Sequence, residues 1–362
     1  MCGGETLLVS PNLGGMNLHS VFEANTPVIV LAEGEFGRPG GKTANGVVMH
    51  SSLFDVRAVI DSTCEANDAG VALDHDAAAG IPVVDDMTAA MERAPDATAL
   101  VVGVAPAGGA LPPEWVEDIH QAMRGGCDVV AGLHVFLSEQ PEWQELAEEC
   151  GVRLVDVRKP PSEDDLSIAD GRSLDVDATV VLTMGTDCAV GKRTTTFEVY
   201  RAAEAAGLDA GWVATGQTGI MVGADRGVVI DRVPADFTAG VVEEMVCAVA
   251  DDHDYVFVEG QAALTHHAYS GVTLSILHGA APDAVVLVDD PSRTHRTHFE
   301  RLPVAGVAAE RRAIEAVSDA TVAAVSTWAG AADAKTRYDL PAANVYDEGG
   351  ANDILTAVRE AL

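Results

Sequence analysis

The sequence predicts an α/β protein built as two parallel-sheet domains, the second of which opens on a phosphate-binding loop. Three observations carry this. Short, β-rich apolar runs alternate with helical patterns along the chain, as in a parallel, doubly wound sheet. The alternation breaks at Lys159-Pro160-Pro161-Ser162-Glu163-Asp164-Asp165, which is polar and proline-rich and continues loosely to about Asp177, and then it restarts. The restart runs from the buried-type strand Val180-Val181-Leu182-Thr183-Met184 into a Gly-bounded loop, a lysine and the threonine-rich helix start Thr194-Thr195-Thr196. Boundaries are expected at residues 1–165 and 166–362.

In the first half the candidate strands are 28–32, 56–61, 81–84, 99–104, 128–132 and 153–157, with helices over 114–123 and 142–150. The second of these helices has Ser138 and Pro141 near its start and Gly151 just past its end, the usual punctuation of a helix. In the second half the strands are 179–184, 210–215, 255–259, 284–289 and 322–327. Helices are expected over 193–206, 240–250, 308–317 and 351–360. No internal repeat or low-complexity segment interrupts the pattern.

A chain of 362 residues with 48% hydrophobic content can bury two cores. Its charge is extreme: 56 acidic residues against 22 basic give −34. The acids are scattered rather than massed in a tail, so they read as an anionic, solvated surface over the whole fold. With only four lysines, this points to a salt-adapted protein of haloarchaeal type. A nucleic-acid duplex or an anionic membrane surface would be repelled, so neither is an expected partner. Cys2, Cys64, Cys127, Cys150, Cys188 and Cys247 show no CxxC spacing, which indicates neither a metal site nor a disulfide framework. No signal peptide or membrane-spanning run is recognisable, and a cytoplasmic location is expected.

The loop is the densest source of chemistry. In Gly185-Thr186-Asp187-Cys188-Ala189-Val190-Gly191-Lys192-Arg193-Thr194, backbone N–H groups and Lys192 are placed to cradle phosphate oxygens at a helix N-terminus. Two departures from the usual pattern matter. Five residues rather than four separate the glycines, a spacing that resembles the phosphate loop of dethiobiotin synthetase-like proteins. Arg193 stands where a Mg²⁺-binding Ser or Thr belongs, and Thr194 comes one position late. The loop therefore reads as a grip on a phosphate-bearing ligand rather than a device for splitting ATP. The plain alternative is a Gly-rich strand–helix turn with a chance lysine. Downstream, Glu259 ends an apolar strand, where P-loop proteins commonly place an acid near the phosphates.

Other motifs accompany the loop in order: Ala214-Thr215-Gly216-Gln217-Thr218-Gly219-Ile220, Val258-Glu259-Gly260-Gln261, His267-Ala268-Tyr269-Ser270-Gly271-Val272-Thr273-Leu274 and Leu277-His278-Gly279. The first half adds Lys42-Thr43-Ala44-Asn45-Gly46, Gly103-Val104-Ala105-Pro106-Ala107-Gly108-Gly109, Gly132-Leu133-His134 and Asp156-Val157-Arg158. Together they resemble the P-loop D-glutamate N-acetyltransferase family, formerly a domain-of-unknown-function family, over nearly the whole chain. The resemblance implies a Rossmann-like N-terminal parallel-sheet domain, a P-loop NTPase-like α/β C-terminal domain and a homo-oligomer, at least a dimer. It also implies transfer of acetyl from acetyl-CoA, as co-substrate, to the amine of D-glutamate. Gripping the phosphates of coenzyme A without hydrolysis agrees with the reading of the loop.

Acetyl transfer to an amine needs a base, donors for the oxyanion and cations for the substrate carboxylates. Glu259, His267 and His278 are the base candidates, with His266 a weaker one. Tyr269 is a candidate donor to the leaving thiolate or the oxyanion. Arg158, Arg293, Lys42, Gln217 and Gln261 are the candidate substrate-binding residues. Lys42 is expected in a long Gly-rich loop running from Glu33 to Gly46. Cys188 is expected to have a lowered thiol pKa at the helix N-terminus, making it a conceivable acetyl acceptor. Packing against the strand is the favoured reading of Cys188. Two other functions stay open: an ATP- and Mg²⁺-dependent kinase or ligase, and a non-catalytic nucleotide sensor.

Overall fold

Runs such as Val28-Ile29-Val30-Leu31 and Leu100-Val101-Val102 carry no polar side chain on either face, so they suit strands covered on both sides. The computed structural model, which describes residues 8–9, 14–106 and 111–362, places these runs at the centre of a seven-stranded sheet. Cys2 and the Ala107-Gly108-Gly109 part of the second N-terminal motif lie outside the described residues.

The chain divides into two compact units. One contains Met16–Pro160 together with Gln217–Ala224, and the other contains Pro161–Gly216 and Asp225–Leu362. In chain order the first unit has β1 (Leu8–Val9), β2 (Thr26–Leu31), α1 (Lys42–His50), β3 (Phe54–Ile60), α2 (Ala69–Leu73), β4 (Val83–Val84), α3 (Met87–Arg93), β5 (Ala99–Val102), α4 (Pro113–Arg124), β6 (Asp128–Ala131), α5 (Pro141–Cys150) and β7 (Leu154–Asp156). Its strands are parallel throughout, in the order β1-β7-β6-β5-β2-β3-β4.

The second unit continues with β8 (Thr179–Gly185), α6 (Lys192–Ala205) and β9 (Ala210–Ala214). The next helix, α7 (Gln217–Val222), groups with the first unit. There the Val222 carbonyl accepts from the Ser52 N–H at 3.0 Å, and Thr43 and Thr218 share a hydroxyl hydrogen bond at 2.7 Å. Back in the second unit come β10 (Arg226–Gly227), α8 (Thr238–Ala250), β11 (Tyr255–Glu259), α9 (Ser270–Ala280), β12 (Ala284–Asp289), β13 (His295–Arg296), β14 (Phe299–Pro303), α10 (Val307–Val317), β15 (Thr321–Thr327), α11 (Ala331–Arg337), β16 (Ala342–Ala343) and α12 (Gly350–Ala361). The order β10-β9-β11-β8-β12-β15-β16 is again parallel, with β13 and β14 forming a small antiparallel ribbon apart from it.

Alternation along β8 shows how the second sheet is covered. Val180, Leu182 and Met184 face one core with α8, α9 and α10, while Val181 faces another with α6 and α12. Helices on both faces leave the carboxyl edge of the parallel strands as the open side, where α/β folds bind ligands.

The sequence-expected strands appear within a few residues of their places. One local expectation is corrected: the Gly-rich stretch from Glu33 ends before Lys42, which starts α1, and the Ala44 N–H there donates to the Gly103 carbonyl at 2.9 Å. The turn after β9 is likewise short, because Gln217 already begins α7.

Gly260, just past β11, shows how closely the edge is packed. Its N–H donates to Thr183 O at 3.0 Å, and a Cβ there would lie 2.2 Å from that same carbonyl. Gly260→Ala is expected to cost about 2 kcal/mol or more, read as a lowered urea midpoint; an unchanged midpoint would contradict this packing.

Candidate active site

Gly185 closes β8, and the loop after it is tied to the next strand at once. The Thr186 N–H donates to Val288 O at 2.9 Å and its hydroxyl to Asp289 Oδ1 at 2.8 Å. Two left-handed residues, Ala189 at φ 53° and Gly191 at φ 100°, wrap the chain before α6 begins. No side chain caps α6 and no acid occupies its first turn. Its first N–H groups are therefore open to an anion.

The Lys192 ammonium donates to the Asp187 carbonyl at 2.6 Å, curling over the loop. Burial lowers its pKa to about 8, against the pull of Asp187 and Glu259. Arg193 is half-buried on the first turn, and Thr194 beside it is half-buried too. Thr195 and Thr196 turn inward, to the Ser326 hydroxyl at 2.8 Å and to Lys192 O at 2.9 Å.

The Asp187 side chain points into the fold and accepts from the Thr297 N–H at 2.9 Å and from Arg293 at 3.2 Å. Burial alone would raise its pKa, but the N–H groups of Thr297 and Cys188, with Arg296 nearby, bring it below the usual carboxylate value. Arg296 is itself buried and donates to Thr186 O and to the Thr265 hydroxyl, both at 2.6 Å. Beyond it lies Glu310, fully buried, which accepts from Leu264 N at 3.0 Å and from the Thr265 hydroxyl. Burial raises the Glu310 pKa, partly offset by these bonds. This buried Asp187–Arg296–Glu310 series fixes the phosphate loop and the 261–269 segment against the β13–β14 ribbon.

The Cys188 thiol pKa is raised by burial, with Lys192 pulling against it and Asp187 adding to it. This corrects the expected lowering: the loop folds the thiol inward, and desolvation outweighs the nearby cations. Asp187, Cys188 and His266 offer ligand atoms within 4.8 Å of one another. His266 Nδ1 accepts from the Ala268 N–H at 3.1 Å, so the neutral ring carries its proton on Nε2, the nitrogen that faces Asp187 at 3.8 Å. With Arg296 also 3.7 Å from the same carboxylate, the cluster is poorly suited to a cation, and we assign it no metal.

Glu259, buried at the tip of β11, accepts from the Thr215 N–H at 3.2 Å. Gln261 donates to the Thr215 hydroxyl at 3.0 Å. Tyr269 is half-exposed, its ring 4.8 Å from that of His266, while His267 faces solvent. His278 is not brought to the loop. It bonds Val317 O at 3.1 Å beside the amino ends of the strands, about one strand length (~20 Å) from the open edge. Arg293 lines a cleft of about 440 Å³ with Arg311, Arg337 and Tyr338. In the first unit, Arg158 donates to Gln217 Oε1 at 2.6 Å, and Lys42 is exposed at the start of α1.

Residues 167–355 match the P-loop domain described as the domain of unknown function DUF1611, and residues 62–160 match the Rossmann-like domain of the same family. The chain belongs to the DUF1611 family. A solved DUF1611 family structure from Anabaena variabilis is 30% identical, with a TM-score of 0.82 over 93% of this chain and 100% of that one. Two curated relatives are named D-glutamate N-acetyltransferase, from Tritonibacter scottomollicae (41% identical over 210 residues) and a Pseudoalteromonas species (36% over 199). The alignments take in 58% and 55% of this chain and 61% and 58% of theirs, so the chain spans about three fifths of the length of the curated relatives it matches.

In this DUF1611 protein the sequence reading passed over Arg296, Thr297 and Glu310. A short ribbon carries the first two and a helix interior the third, and nothing in the spacing connects them to a loop a hundred residues earlier. One signal was available, the cluster of basic and hydroxyl residues Arg293-Thr294-His295-Arg296-Thr297 in so acidic a chain.

The lowered Lys192 pKa would make binding of an anion in the loop pH-dependent. Below about pH 8 the ammonium is charged and available to an anion; above it the charge is lost. Pyrophosphate affinity, measured by calorimetry, is expected to fall by up to about tenfold per pH unit above that point. In Lys192→Arg, which stays charged, it should fall far less; parallel pH profiles would show that Lys192 does not carry the effect.

Proposed function

We propose that this chain is an amino-acid N-acetyltransferase that moves acetyl from acetyl-CoA to the amine of an acidic amino acid, D-glutamate by likeness to its curated relatives. The observation that carries the reading is a loop with every part of a phosphate grip except the metal-binding hydroxyl, replaced by Arg193. Coenzyme A needs its phosphates held, not split. In this reading the amides from Asp187 to Gly191, with Gly185, Thr186, Lys192, Arg193 and Thr194, hold the pyrophosphate. A carboxylate or imidazole takes a proton from the ammonium, and the freed amine attacks the thioester carbonyl. The tetrahedral intermediate collapses by breaking the C–S bond, so that the N-acetyl product forms and CoA leaves as a thiolate that takes up a proton. Glu259 is the base best supported by position, because its carboxylate sits at the open strand edge beside the loop. Tyr269 is the proposed donor and His267 the second base candidate. Lys42, Arg158, Gln217, Gln261 and Arg293 are carried as acceptor-binding groups. Direct transfer is favoured over a Cys188 acetyl-thioester because the thiol is held protonated.

Among the described residues no helix is long and apolar enough to cross a membrane, and the five described cysteines are free. Both are compatible with the proposed cytoplasmic location, in which the chain would work as a homo-oligomer.

A thermal-shift comparison of acetyl-CoA, CoA and ATP with Mg²⁺ tests the reading, since a ligand at a hundred times its Kd stabilises by about 2.7 kcal/mol. CoA and acetyl-CoA are expected to raise the melting temperature; stabilisation by ATP–Mg²⁺ alone would move the assignment to a kinase or ligase. Glu259→Gln is expected to lower kcat by about a hundredfold or more while leaving the KM for acetyl-CoA within about twofold. Unchanged kcat would remove Glu259 as the base.

The charge of −34 also supports salt adaptation. Screening of surface repulsion should raise the melting temperature steeply as KCl increases to about 1 M, where the Debye length is about 3 Å. A melting temperature indifferent to salt would argue against it.

A further inference from the structure

Two of the chain's few aromatic rings lie exposed beside the phosphate loop. Trp328 directly follows β15 and is 48% exposed, and Tyr346 follows β16 and is 54% exposed. Their centroids are 5.2 Å apart. Exposure on this scale is costly for such large side chains unless something covers them. The indole is also part of the loop: its Nε1–H donates to Val190 O at 2.6 Å, and its ring lies so close over Gly191 that a Cβ there would meet it at 3.2 Å. The recess beneath is lined by Val190, Thr195, Ser326 and Asn344.

Position gives the pair a direction. In the order β11-β8-β12-β15-β16, the phosphate loop springs from β8, Glu259 lies on one side at β11, and the aromatic pair lies on the other, two to three strands away. At about 4.8 Å per strand the ends of β15 and β16 lie roughly 10–14 Å from the end of β8. The indole reaches back from there to touch the loop at Val190 and Gly191, so a base on the outer face of the pair lies within a ribose's reach of a phosphate held at the loop.

We propose that Trp328 and Tyr346 form the stacking platform for the adenine ring of the CoA co-substrate. The nucleotide then extends over β15 and β16 and the thioester arm is directed towards β11. The inference rests on the acetyl-CoA reading. The rings are already in contact, so the base stacks on an outer face of the pair rather than between its members.

The test uses the full chain with three variants and four probes: CoA, pyrophosphate, adenosine 3′,5′-bisphosphate and pantetheine. Tyr346→Ala, which leaves the Trp328–Val190 hydrogen bond in place, should weaken CoA binding about tenfold, within the range of base–aromatic stacking. It should leave pyrophosphate affinity within about twofold. Lys192→Ala should weaken both. Trp115, Trp143 and Trp212 are buried, so quenching by a ligand reports on Trp328. Adenosine 3′,5′-bisphosphate is expected to quench and pantetheine not to, and Trp328→Phe should abolish the signal. If Lys192→Ala weakens CoA but Tyr346→Ala does not, the platform fails alone. If Lys192→Ala leaves CoA affinity unchanged, the acetyl-CoA reading fails with it. Quenching by pantetheine but not by the nucleotide would reverse the proposed direction and overturn the inference.

Discussion

The Asp187 carboxylate, buried inside the phosphate loop, holds together segments 110 residues apart in sequence. It accepts from the β13–β14 ribbon, and its neighbour Arg296 bridges to the loop backbone and, through Thr265, to Glu310 on α10. Removing one member of such a buried series leaves the others charged and unpaired, typically at a cost of about 3–5 kcal/mol. The carboxylate is therefore less a ligand-binding group than the fixture that keeps Lys192 and the loop amides in shape. Because its oxygens are occupied or turned inward, its negative charge does not face the open N–H groups at the start of α6.

That arrangement answers a problem set by composition. A surface carrying −34 repels phosphates at long range, and molar salt would erase any attraction between distant charges anyway. At short range the loop presents desolvated Lys192, uncapped N–H groups at the start of α6 and exposed aromatic surface. The few lysines matter less through their number than through where one of them is buried.

The fold was legible because both sheets are parallel and doubly covered, so their strands are continuous apolar runs that stand out from helical spacing. The phosphate loop was legible for a different reason: its glycines and lysine lie within eight residues of sequence. What escaped was whatever depends on burial or on distant pairing. Cys188 sits where a helix N-terminus lowers thiol pKa values, yet desolvation raised its own. His278 stands in the short motif that follows His267–Leu274, but eight residues of helix after Ser270 carry it to the far edge of the sheet. Arg293 reads as a carboxylate fork, and the structure also ties it to Asp187 and Thr297. Arg296 and Glu310 are ordinary charges in sequence and become central only once both are buried.

Helix α7 belongs by packing to the first unit, although it is encoded between two strands of the second. The boundary near Pro160 is therefore not a place where the chain can be cut into two self-sufficient pieces. A fragment ending there would lack the helix that covers Thr43 and takes the Ser52 hydrogen bond. The complementary fragment would carry that helix with nothing to dock it on. Completion of the first unit must wait until Gln217–Ala224 has been synthesised, more than fifty residues after its last strand, so the two halves mature together rather than in succession.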